Sequence, residues 1–246
     1  PDTPQPSDFA GLYFVLPVLT RLAMGDFLRA QPHWIERQLP VRLLHHIGQR
    51  LAIPSEDPVL RALGPLAEET PATSADFLAP LAWRQGIAEA GGWTVHAVGE
   101  GAAYWALLDG SQHLPLACWQ AQGAAASANF SQPADRLPAT VRSWVGEQRV
   151  TLGPPLSALS VLDLVLDAWL LAAQRWCCRV AALELSELVC RPGFVTATPT
   201  HIDLYFRLAQ ADIRIRRAGL DITPGWAPWL ARVVYFHYLE ADAFVL

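Results

Sequence analysis

The chain contains no lysine, and all eighteen of its basic residues are arginine. That excludes a lysine Schiff base and a phosphate-binding Walker lysine, and makes every side-chain ammonium a planar, multi-donor guanidinium instead. A GC-rich coding bias is the plainest cause; selection for arginine pairing, or against lysine modification, is the functional alternative. Charge of either sign is scarce, at 17% of residues against about 25% in an ordinary domain. With a net charge of −5, the chain lacks the basic footprint that sequence-independent nucleic-acid binding requires. Its cysteines, Cys118, Cys177, Cys178 and Cys190, show no Cys-x-x-Cys spacing, so neither a zinc ribbon nor a redox pair is indicated. Free thiols in a reducing compartment are expected. No dinucleotide fingerprint, Walker motif or Gly-x-Ser-x-Gly elbow occurs around Ser157, Ser160, Ser186 or elsewhere. Nucleotide cradling and nucleophilic catalysis are thus unsupported, and no cofactor is expected. No apolar run is long enough to span a membrane, and no charged-then-apolar leader is visible. The opening PDTPQPSD reads as a proline-rich linker over 1–8, as in a module cut from a longer polypeptide.

What the chain has in quantity is apolar surface: 52% apolar residues and ten tryptophans. That is more than one fold readily hides, and it favours surfaces buried against partners. The expected fold class is α+β, in a single domain over 9–246: an N-terminal helical bundle and a long apolar helix packed on a small, mostly antiparallel sheet.

The bundle occupies about 9–90. A helix from Phe9 to about Met24 is apolar nearly all round and interrupted by Pro17. Further helices are expected to about Leu39, over Val41–Ala52, from Pro54 to Leu63, and over Asp76–Glu89. A strand at Trp93–Val98 precedes a hairpin about Asp109-Gly110, whose second strand carries Pro115 and should lie on a sheet edge. Residues 120–156 show little pattern and read as irregular. The longest helix runs from Ser157 to about Val189. On it, Asp163 and Asp167 sit one turn apart, either as an acid–base dyad or, far more commonly, as a solvated stripe. His45-His46 diverge on a helix and form no joint site.

The clearest β pattern lies at 200–240. Ile202, Leu204, Phe206 and Leu208 alternate with Asp203, Tyr205 and Arg207, and Ala211, Ile213 and Ile215 alternate with Asp212, Arg214 and Arg216. Period two over both segments predicts a hairpin: a two-residue loop at Ala209-Gln210 sets Phe206 opposite Ile213 and Asp203 opposite Arg216, and a four-residue loop from Ala209 to Asp212 sets Arg207 against Arg214 instead. Gly219 and Thr223-Pro224-Gly225-Trp226 are turn signals, and Val233–Leu239 reads as a further strand. Arg214 and Arg216, followed by Trp226 and Trp229, combine the residue types that anchor protein interfaces. They are the candidate binding residues; ordinary cross-strand pairing is the plainer reading. His201, Asp203 and His237 offer two imidazoles and a carboxylate, a candidate set for a divalent metal or acid–base chemistry.

The run LELSELVCRPGFVTATPTHIDLYFRLAQADIRIRRAGLDITPGWAPWLARVVYFHYLE, with FAGLYFVLPVLTRLAMGDFLRAQP near the start, resembles uncharacterised modules of bacterial contractile-injection-system (phage-tail-like) gene clusters. The resemblance implies a structural or assembly role and carries no catalytic residues. The expectation is therefore a non-enzymatic interaction module. Its partners are other protein subunits or the rest of its own parent chain, not nucleic acid, and its place is the bacterial cytoplasm or a particle assembled there. A hydrolase using His201, Asp203 and His237, and a membrane-acting effector using the apolar helices, are the alternatives.

Overall fold

A computed structural model describes residues 3–68, 76–84, 92–99, 103–109, 113–120, 137–146 and 148–240. The chain is α+β and divides into two compact units, Pro1–Glu69 with Ala173–Leu246, and Thr70–Ala172. Two mixed five-stranded sheets replace the expected single, mostly antiparallel one.

In the first unit, the segment read as a linker supplies β1 (Gln5–Ser7), which pairs antiparallel with a later strand. The first apolar segment forms a 3₁₀ turn at Ala10–Phe14 and then α1 (Val15–Arg21). Pro17 falls in the first turn of α1, where its missing N–H removes no helical hydrogen bond. The break after α1 comes at Ala23, with φ of 64°. Helices α2 (Met24–Ala30), α3 (His33–Glu36), α4 (Leu39–Arg50) and α5 (Pro58–Arg61) follow. Leu43, Leu44 and Ile47 of α4 are buried, as their spacing predicts.

The second unit holds β2 (Phe77–Leu78), α6 (Leu81–Arg84), β3 (Trp93–Val98), β4 (Tyr104–Asp109), β5 (Pro115–Gln120), α7 (Ala139–Val145) and β6 (Val150–Leu152). Its sheet order is β2-β5-β4-β3-β6. The helix expected from Asp76 is replaced at its start by β2, because the residue before Pro80 is driven extended. Residues 85–89 of that expected helix lie outside the described residues, as do 110–112 of the hairpin turn. Pro115 does not put β5 on the sheet edge; β2 covers that side. The proline is tolerated because it is the strand's first residue. The stretch read as irregular contributes α7 and β6, while 121–136 and 147 lie outside the described residues. His96 is buried, with Nδ1 at 2.8 Å from the Pro154 carbonyl and Nε2 at 3.0 Å from Thr94 Oγ1.

Helix α8 (Val161–Trp176) runs on into a π turn at Cys177–Ala181, and α9 (Leu185–Val189) follows. It begins later than Ser157 because Ser160 and Asp163 cap it reciprocally: Ser160 N–H donates to Asp163 Oδ2 at 3.1 Å, and Asp163 N–H donates to Ser160 Oγ at 3.1 Å. Asp163 is thus a capping residue. Buried Trp169 meets Trp83 edge to face at 4.5 Å.

The remaining elements complete the first unit: β7 (Gly193–Ala197), β8 (His201–Arg207), α10 (Ile213–Arg217), β9 (Gly225–Ala227) and β10 (Arg232–Leu239). The sheet order is β1-β7-β8-β10-β9, and β10 runs parallel to β8. The expected 202–216 hairpin does not form. Asp212 accepts a hydrogen bond from Arg214 N–H at 2.8 Å and so starts a helical turn where a second strand is expected. That turn buries Ile215 and exposes Ile213, whereas a strand would have put both on one face. Residues 208–231 then act as the crossover that a parallel pair demands.

The inner face of this sheet carries Ile202, Leu204, Phe206, Val234 and Phe236, all buried. Phe14 stacks on Phe206 at 4.7 Å and meets Phe236 edge to face at 5.0 Å. Gly11 brings the 3₁₀ turn against α9: a Cβ there would stand 2.2 Å from the Leu188 carbonyl oxygen.

Candidate interaction surface

Because β8 and β10 keep one register, their alternate residues share the sheet's outer face. His201, Asp203, Tyr205 and Arg207 of β8 lie there with Val233, Tyr235, His237 and Leu239 of β10. Trp226 of β9 sits opposite Val233 and extends the face across a third strand. Tyr205 and His237 stack at 4.7 Å with an interplanar angle of 17°. His201 and Tyr235 lie 6.3 Å apart and nearly parallel, at 10°. His237 Nε2 is 2.8 Å from Asp203 Oδ1. Trp226 is 59% exposed and Tyr235 41% exposed. The face is therefore a strip of aromatic and imidazole rings, apolar in body and polar at its tips.

The candidate metal set is brought together only in part. Asp203 and His237 bond to each other, while His201 Nδ1 lies 2.8 Å from Thr200 Oγ1. Among the described residues no group of three or more His, Cys, Asp or Glu side chains is arranged to hold a metal ion.

Of the four candidate binding residues, the arginines are occupied elsewhere. Asp212 Oδ2 lies 2.6 Å from Arg191 Nη2 and 2.9 Å from Arg214 Nη2. Arg214 also reaches Glu187 Oε1 at 3.2 Å and the Ala182 carbonyl at 3.3 Å. Hydrogen bonds from Arg214, then from Arg191, hold the Asp212 carboxyl well below the usual carboxylate range. The Glu184 N–H, and then Arg214, lower Glu187. This network ties α10 to α9. Arg216 pairs with Asp221 at 2.9 Å and lies over the Tyr238 ring at 5.4 Å. Burial, reinforced by Asp221, pushes the Tyr238 hydroxyl up to about 12.

Tyr238 and Val233, the partner of Trp226, are about 17 Å apart along β10 at roughly 3.4 Å per residue. Arg216 and Trp226 thus belong to opposite ends of that strand, while Arg214 is engaged with Asp212 and Glu187. Trp229 is half-buried in the turn after β9. No family model, curated protein or solved structure matches the chain. The surface is read from its own geometry.

Two residues of the strip, Tyr205 and Tyr235, were not among the candidates. Their signal was present: Tyr235 and His237 share a parity in VVYFHYL, opposite to Val234 and Phe236. Only the parallel register places them beside His201, Asp203 and Tyr205.

No single helix among the described residues is long and apolar enough to cross a membrane. The bent pair Ala10–Arg21 and Met24–Ala30 passes by length and composition, but its apolar residues Leu12, Phe14, Leu16 and Leu19 are core.

Proposed function

We propose that the protein is a non-catalytic interaction module that docks another protein on the outer face of the β8–β10–β9 sheet. The observation that carries this reading is the half-exposed ring strip of Trp226, Tyr235, His201, Tyr205 and His237. Tryptophan and tyrosine give large contact area at low entropic cost and dominate binding hot spots. Trp226 has no ring partner among the described residues and suits an anchor. The resemblance to contractile-injection-system modules supports an assembly role in a bacterial particle. The test is quantitative capture from the native lysate, with light scattering on the purified chain. The wild type enriches a protein, or self-associates, and the Trp226→Ala/Tyr235→Ala variant does neither. A monomeric wild type with the same capture profile as the variant sinks the reading.

The Asp203–His237 pair favours a second reading, acid–base hydrolysis, in which Asp203 orients an imidazole base. A panel of chromogenic esters and phosphodiesters tests it. Turnover lost in His237→Asn would displace the first reading; no turnover by the wild type removes the second.

A further inference from the structure

The first unit carries a cleft of about 460 Å³ between α5 and the β1–β7 edge, lined by Thr3, Gln5, Arg61, Ala62, Val195 and Thr196 among others. That volume lies within the range of small-molecule sites. The β1 wall is tied to α5 by Ser7 Oγ, which donates to Asp57 Oδ1 at 2.7 Å. No carboxylate lines the cleft among the described residues. Asp57, which precedes the cleft residue Pro58, is turned to Ser7 and to the Val59 N–H at 2.9 Å.

Arg61 supplies the charge. Its guanidinium is exposed, and its one polar contact among the described residues is a long 3.5 Å approach to the neutral Gln5 Oε1. A second guanidinium, Arg232, donates to the Ala62 carbonyl beside the same wall. Neither arginine has an ion-pair partner among the described residues. Arg61 is the one charged side chain lining the cleft among the described residues. The hydroxyls of Thr3 and Thr196 and the amide of Gln5 can all donate to an anion.

We propose that this cleft binds the compact oxyanion of a small molecule, a carboxylate or a phosphoryl group, with the Arg61 fork as its principal donor. The proposal does not depend on the docking role, although Thr196 pairs across the β7–β8 ladder with Asp203 of the strip's face.

Isothermal titration of the full chain at fixed ionic strength tests this, with inorganic phosphate and citrate as probes. Saturable binding of at least one probe is expected, and which one binds separates a phosphoryl from a carboxylate ligand. Arg61→Gln weakens it at least tenfold, and Arg61→Lys, which keeps the charge but loses the fork, weakens it less. Arg217→Gln removes the same charge from an exposed position on α10 and leaves binding unchanged. Thermal melts confirm that all three variants fold. No saturable binding of either probe overturns the proposal. So does binding that Arg61→Gln leaves intact, or that Arg217→Gln weakens equally.

Discussion

His237 Nε2 lies 2.8 Å from Asp203 Oδ1, joining neighbouring parallel strands whose two residues stand 34 positions apart in the sequence. Both side chains are partly exposed, so the pair adds little to stability, on the order of 0–1 kcal/mol. Its effect is to fix the imidazole against the Tyr205 ring. Asp203→Ala is therefore expected to leave the melting temperature nearly unchanged while weakening partner capture several-fold. A melting drop as large as that of a core variant would contradict this.

On the docking reading, Trp226 is the exposed anchor of the strip. Truncating such a residue costs a docked complex about 2 kcal/mol or more, a loss of roughly thirtyfold in affinity. Trp226→Ala should leave the circular dichroism spectrum and the denaturation midpoint intact, because the side chain is mostly in solvent. Trp229→Ala, in the turn beyond β9, is expected to affect binding less.

Asp212 caps α10 and holds Arg191 and Arg214. Asp212→Ala removes the cap, worth about 1 kcal/mol, and leaves two guanidinium groups without their shared partner. Urea denaturation should show a clear loss of stability. Because the folded-state carboxyl titrates below its unfolded value, the unfolded state binds protons first as pH falls. The stabilisation from Asp212 is therefore complete above the ordinary range near pH 4 and is lost progressively below it. The Asp212→Ala variant should show a shallower acid limb in that window.

His45 titrates below its ordinary value, chiefly through burial, and its Nε2 has no hydrogen-bond partner among the described residues. The unfolded imidazole takes up a proton first, so stability falls as pH drops below about 6.5. His45→Phe should flatten the stability profile between about pH 5 and 7, without altering the loss near pH 4.

Gly11 admits no side chain, since a Cβ would meet the Leu188 carbonyl oxygen at 2.2 Å. Backbone on both sides must shift. Gly11→Ala is expected to destabilise the first unit by about 1–3 kcal/mol, in the manner of core overpacking. Hydrogen exchange should show the loss in α9 and β7, while β3–β5 keep their protection.

The local signals that carried through are those with an unambiguous steric or periodic origin. Gly219 and Gly225 take φ of 61° and 68°, as their turn contexts require. Strands at 93–98 and 201–207 appear where alternation or β-rich composition marks them. The misreading at 211–216 shows the limit. Ile213 and Ile215 fit period two, but Asp212 is also a good N-cap, and with Arg191 and Arg214 gathered on it the helical turn prevails. Sequence spacing could not show that gathering, since Arg191 and Glu187 come from a different element. The parallel pairing of β8 with β10, and the strand made from a proline-rich opening, depend equally on distant partners. The ring strip follows from that pairing. Its members were visible one by one, and their adjacency was not.

The most direct test of the docking surface places a photo-crosslinking residue at position 235, with position 29 on α2 as the control. The account predicts a discrete protein adduct at 235, either a partner or a second copy of the chain, that is absent at 29 and lost when Trp226→Ala is added. The same adducts at both positions, or none at 235, would contradict it.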